Sequence, residues 1–145
     1  MANALDGFLQ QISSQAHVAA GVEDGAEVEA QNFLDTSADI ALAGVTHMVD
    51  VPVQNGHGEL TSDKKTTFFV TIEGTATITA PANGTWNVTA TDLVANKTVF
   101  QASGMGVNQP KQFSYKTGFS TQLRIVADWS ENSSTTLVLE LDTNH

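Results

Sequence analysis

FFVTIEGTATITA, residues 68–80, decides the fold. Phe68, Val70, Ile72, Ala76, Ile78 and Ala80 alternate with Thr71, Glu73, Thr75, Thr77 and Thr79, continuing the polar set from Thr67. A period of two puts every apolar side chain on one side of an extended chain and every threonine on the other, as in a strand with one buried and one wet face. Gly74, inside this run, marks a bulge or bend.

The same pattern continues outward from this strand. Downstream, Pro81-Ala82-Asn83-Gly84 turns the chain, and Trp86, Val88 and Ala90 then alternate with Thr85, Asn87, Thr89 and Thr91. Ala95-Asn96-Lys97 turns it again into a strand over 99–102. After a loop over 104–110, Phe113 and Tyr115 alternate with Ser114 and Lys116. Leu123, Ile125, Ala127 and Trp129 share one face of a further strand, and Leu137, Leu139 and Leu141 one face of the last. Upstream, Val45, His47, Val49, Val51 and Val53 line a strand that ends before the turn Asn55-Gly56. Seven strands with turns at this spacing predict an all-β fold, an antiparallel β-sandwich of about seven strands.

The N-terminal part reads differently. Leu5, Phe8, Leu9, Ile12 and Ala16 form one stripe of an α-helix, with Asn3 placed to cap it and Gly21 to stop it. Asp24 followed by Glu27 resembles a capping box and predicts a second short helix near 25–34. The chain therefore divides into a helical, acidic segment, 1–39, packed on or between domains, and a β-sandwich domain, 40–145. A helix of about four turns is marginal alone, so its stripe must dock on the chain's own sheet, a second copy or a membrane.

At 145 residues, 41% apolar and 15% charged, the composition is that of one globular domain. No apolar run approaches the length of a transmembrane helix, and MANALDGFLQQ lacks the basic start and apolar run of a secretory signal, which leaves the cellular location open. The absence of cysteine removes disulfides, thiolate nucleophiles and cysteine-based zinc sites together. Net charge is −10, and it is unevenly placed: residues 1–63 hold ten Asp and Glu and no Lys or Arg, whereas 64–145 hold six of each sign. With only Lys64 and Lys65 adjacent, the chain lacks the clustered cations that nucleic acid or anionic lipid requires.

No catalytic pattern is present, so the chain is read as a non-enzyme without cofactor or metal. GxSxG and GxxxxGK[ST] are missing, and Gly104-Met105-Gly106 lacks the third glycine and the βαβ setting of a dinucleotide site. The acid pairs Asp128/Glu131 and Glu140/Asp142 have the look of solvated strand ends. Asp35/Asp39 and Glu59/Asp63 offer oxygens for calcium without an EF-hand pattern. His47 and His57 flank the Asn55-Gly56 turn but lack a third ligand, and His47 sits on a valine-lined face. The sequons at Asn83, Asn87, Asn96 and Asn132 follow from a chain with 18 threonines.

Two features suggest function. Threonine fills nearly every outward position of two successive strands, a surface suited to sugar, ice or another sheet. Trp129 ends its strand beside the polar loop 130–134, where Trp129, Tyr115, Phe119, Asp128, Glu131 and Asn132 make a candidate stacking site for a ligand. The expected function is a non-enzymatic binding, adhesion or self-assembly module, lectin-like if its ligand is a carbohydrate, protein-binding otherwise, and homo-oligomeric. The alternative is a membrane-active protein using Leu5, Phe8, Leu9 and Ile12 for self-association or bilayer contact. Its layout, an amphipathic helix ahead of a cysteine-free sandwich, resembles that of actinoporin-type pore formers. The chain departs from them in lacking basic character and an aromatic-rich lipid-binding face.

Overall fold

Alternation in the sequence becomes a sheet whose inner face is the core. The computed structural model describes residues 4–19 and 45–143. The second helix expected near 25–34 and the boundary expected at 39 lie outside the described residues. Among the described residues one helix, α1 (Ala4–Ala19), precedes ten strands. These are β1 (Val45–Gln54), β2 (His57–Thr61), β3 (Lys65–Thr66), β4 (Thr71–Ala80), β5 (Trp86–Asp92), β6 (Lys97–Met105), β7 (Lys111–Lys116), β8 (Ser120–Thr121), β9 (Leu123–Trp129) and β10 (Thr135–Thr143).

Eight of them form one antiparallel sheet in the order β6-β5-β9-β2-β1-β10-β4-β7, and β3 pairs with β8. Two four-stranded halves meet at the β1–β2 hairpin, where only Val53↔Gly58 and Gln54↔His57 are paired. Beyond that short seam the halves diverge, and their inner faces pack on one another. At the far side the edge strands β6 and β7 approach, with the rings of Phe100 and Phe113 5.3 Å apart, so the sheet is nearly closed. Gly58 is what lets the hairpin form, since a Cβ there would collide with the carbonyl of Pro52.

The all-β antiparallel architecture is as the alternation requires. Three strands exceed the seven expected: β2, β3 and β8. β3 and β8 are two residues each, too short to display a period. The run from Phe68 also breaks before β4 begins: Phe68 and Phe69 have φ of 51° and 57°, and Thr67, expected on the wet side, is buried against Thr121.

Helix α1 fills the opening between the diverging halves, packing on β1 and β3. Leu5, Phe8, Leu9 and Ile12 are at most 2% exposed and belong to the same core as Val49, Val51, Ile125 and Leu139. Asp6, in its first turn, accepts a hydrogen bond from the backbone N–H of Asp63. His47, half-buried on the inner face of β1, meets the edge of Phe8 at 5.7 Å, and burial lowers its pKa from the ordinary imidazole value.

Register defines the two ends of the sandwich. At one, the Trp129 end, lie the β1–β2 turn, the turn at 81–85 and the loop at 130–134. At the other, the Tyr115 end, lie the starts of β1, β4, β6 and β9, together with β3 and β8.

Candidate functional site

At the Trp129 end, Trp86 and Trp129 are cross-strand partners on β5 and β9, and their rings stack at 5.1 Å with an interplanar angle of 7°. Trp86 is buried, and its Nε1 has no partner among the described residues. Trp129 is half-buried, and its Nε1 donates to the carbonyl of Asn83 at 3.0 Å. Three turns are drawn together there. The Trp129 N–H donates to Gly56 O at 2.8 Å, Gly56 N–H to Ser133 O at 2.9 Å, and Ser130 N–H to Thr85 O at 2.9 Å. Gly84, at φ 77°, is required where a side chain would strike the indole nitrogen. Asp128, Glu131 and Asn132 are exposed nearby.

Tyr115 does not join them. Its hydroxyl donates to Asp92 Oδ2 at 2.6 Å, at the opposite end of β5 from Trp86. Six residue steps from Trp86 to Asp92 separate these ends by about 20 Å. The expected cluster is therefore split, because the positions that meet across a sheet are set by register and not by distance along the chain. Burial first, and then the bond to Asp92 and its charge, raise the Tyr115 pKa. Asp92 is fully buried, and its Oδ1 accepts from Val94 N–H at 3.0 Å and Gln122 N–H at 3.4 Å, which ties the β5–β6 turn to β9. Nothing in the sequence singled out Asp92, since a buried acid at a strand end looks like a solvated one.

On the outer face of β2 and β9, His57 Nδ1 bonds Asp128 Oδ1 at 2.7 Å and Nε2 bonds Glu59 Oε2 at 2.9 Å. Glu59 also accepts from Arg124. Hydrogen bonds to Asp128 and then Glu59 raise the His57 pKa, and those to His57 and Arg124 lower that of Glu59. The two carboxylates bracket the imidazole on opposite edges and do not converge on a point, and no three His, Asp or Glu side chains among the described residues are arranged to hold a metal ion. His47 and His57 also lie on opposite faces of their hairpin, which rules out the metal pairing considered for them.

The Tyr115 end carries a different surface. Phe69 N–H donates to Gly118 O at 3.0 Å, and Phe68 packs edge-on against Phe119 at 5.2 Å. Leu93 N–H donates to Gln122 O at 2.7 Å, which places the β5–β6 turn at the same end. Phe69, Leu93, Val94 and Phe119 are 37%, 38%, 45% and 49% exposed, four of the five large apolar side chains exposed among the described residues. Bulky side chains at positive φ are strained, and two in succession hold Phe69 outward while Phe68 points in.

The two threonine rows do not form one array, since β4 and β5 belong to different halves of the sheet. A shallow groove of about 390 Å³ crosses β4 and β7, lined by Glu73, Gly74, Thr75, Gln112, Phe113 and Ser114, with Glu73 opposite Ser114 across the ladder. Leu5, Phe8, Leu9 and Ile12 lie in the chain's own core and not on a self-association or bilayer-facing surface. No described helix is long and apolar enough to cross a membrane.

No protein-family model matches the chain, and no curated protein does. Among solved structures it is similar to that of the infectious bursal disease virus Gx strain, at 10% identity and a TM-score of 0.36, over 73% of this chain. It is likewise similar to the VP2 subviral particle of infectious bursal disease virus, at 10% identity and a TM-score of 0.36, over 74% of this chain. This chain spans 32% and 34% of those two chains. A third, dimeric latent PorU from Porphyromonas gingivalis, is 19% identical with a TM-score of 0.26, over 71% of this chain and 10% of that one. At such identities and TM-scores these likenesses assign neither a family nor a function.

Proposed function

We propose that this chain is a non-enzymatic β-sandwich module that binds a protein partner, in self-assembly or adhesion, through its Tyr115 end. The gathering of Phe69, Leu93, Val94 and Phe119 there, around a strained pair of phenylalanines, carries the reading. Apolar side chains scattered singly over a surface need no explanation, whereas several at one end suit a protein contact. At Phe69 the positive φ presents a side chain outside the core, which suits the same role.

Size-exclusion chromatography with light scattering tests it. The native chain associates with rising concentration, and Phe119→Asp abolishes the association. Phe69→Gly weakens it as well, yet leaves stability within about 1 kcal/mol, because glycine accepts a positive φ without penalty. A chain that stays monomeric up to its solubility limit, with no partner engaged by this end, refutes the proposal.

The half-exposed Trp129, held flat on Trp86, favours a second reading as a carbohydrate platform. A glycan array tests it, with binding expected to disappear in Trp129→Ala. The membrane-active alternative loses its proposed element while Leu5, Phe8, Leu9 and Ile12 remain core residues.

A further inference from the structure

We infer that the partner met by the Tyr115 end is a second copy of this chain, which offers the outer face of β1, β10 and β4. This rests on the assembly reading above and adds the identity of the partner and of its contacting surface.

Among the described residues, the five exposed large apolar side chains divide four to one. Four are at the Tyr115 end, and the fifth, Met48, 45% exposed, stands on the outer face of β1. Among the described residues the exposed charges around the two sites are predominantly opposite in sign, although the Tyr115 end also holds acids: Asp63, exposed next to Lys64, and the buried Asp6 and Asp92. At the Tyr115 end, Lys65 pairs with Thr121 beside the Phe69–Phe119 turns, with Lys64 next to it. Lys116 closes β7 just before Phe119, and Lys97 opens β6 just after Leu93 and Val94. These are four of the six cations in the chain.

Around Met48 the register places acids. Met48 faces Glu140 across the β1–β10 ladder, Thr46 faces Asp142, and Asp50 is two residues along on the same outer face. Glu73 is exposed on that face of β4. β1, β10 and β4 contain no Lys or Arg. An anionic sheet face with one exposed methionine is thus the complement of a cationic end with four exposed apolar groups.

Two like ends would bring lysines together, and two like faces would bring carboxylates together, so a symmetric contact is opposed in either pairing. End against face satisfies both, and such a head-to-tail contact uses different surfaces on the two copies. The net charge of −10 opposes any association at long range. Beyond about 8 Å, physiological salt screens that repulsion, whereas charges brought together in the contact are within this distance.

Charge exchange tests the inference, read by sedimentation velocity at physiological ionic strength, with thermal melts showing that each variant is folded. Lys64→Glu/Lys65→Glu makes the end acidic, and Asp50→Lys/Glu140→Lys makes the face basic. Each double variant alone should associate about tenfold more weakly than the native chain. An equimolar mixture should recover association, because each variant's altered surface then meets its complement on the other. The second variant lowers the net negative charge, so its loss of association cannot come from overall repulsion. If neither double variant weakens association while Phe119→Asp abolishes it, the apolar end still functions in assembly and the assigned face is wrong. Failure of the mixture to recover overturns the inference too. A native chain that is monomeric throughout removes both this inference and the assembly reading.

Discussion

Replacing Leu9 by alanine tests whether the N-terminal helix is a structural part of the sandwich. Leu9 is fully buried between the diverging halves of the sheet, beside Leu5, Phe8 and Ile12. Truncation removes the transfer free energy of the lost carbons and leaves a cavity that rigid strands close only in part. Together these cost about 2–5 kcal/mol. Against a total stability of roughly 5–15 kcal/mol this is a large fraction. For a chain of this size each kcal/mol lowers Tm by about 2–4 °C, so the drop should be on the order of 4–20 °C. Urea unfolding should show a lower midpoint with an unchanged slope, because the surface exposed on unfolding hardly changes. Gln10→Ala, on the exposed side of the same helix, should stay within about 0.5 kcal/mol of native. A Leu9→Ala protein that melts with the native chain would refute the docking. Release of dye from liposomes, abolished by Phe8→Asp, would show that the stripe leaves the core for a bilayer.

Tyr115→Phe should cost about 1–3 kcal/mol in thermal unfolding, because it leaves a buried Asp92 oxygen without its hydroxyl donor. His57 should titrate above its ordinary 6.5 by NMR, and Asp128→Asn should bring it down. The sign follows from that raised pKa: whatever stability protonated His57 adds is complete below the unfolded value and is lost as pH rises through the folded one. On an exposed strand the thermal shift should be small. Gly58→Ala should destabilise strongly, since the new methyl meets the Pro52 backbone and parts the hairpin joining the two halves.

Where one periodic run makes one long element, the sequence was readable. The alternations in β1, β4, β5, β9 and β10 assigned their inner faces, and the stripe Leu5, Phe8, Leu9 and Ile12 announced a helix that had to be covered. Phe68 reads as the start of a strand because it continues the alternation of Val70 and Ile72, yet the chain turns at Phe68 and Phe69 through positive φ. The candidate site was legible only in part. Trp129 keeps Asp128, Glu131 and Asn132 near it because they are neighbours in sequence. Tyr115 is sent to the far end by its register with β4. His57 and Asp128, 71 residues apart, meet only because β2 pairs with β9, and the short β2 carried no period to reveal it.

The position of β10 has a consequence for how the chain is made. Last of the strands in sequence, it lies between β1 and β4, matched to β1 from Val45↔Thr143 to Val53↔Thr135 and to β4 over 138–143. On the ribosome, β1 and β4 therefore emerge without the strand that joins them and wait for synthesis to reach residue 143. At about 5–20 residues per second that wait lasts several seconds. During it both strands expose an unpaired edge and an apolar face, open to wrong pairing with each other or with a neighbouring nascent chain. Pulse proteolysis of stalled ribosome–chain complexes should find the sheet protease-sensitive at every length short of β10, and resistant once that strand has left the exit tunnel.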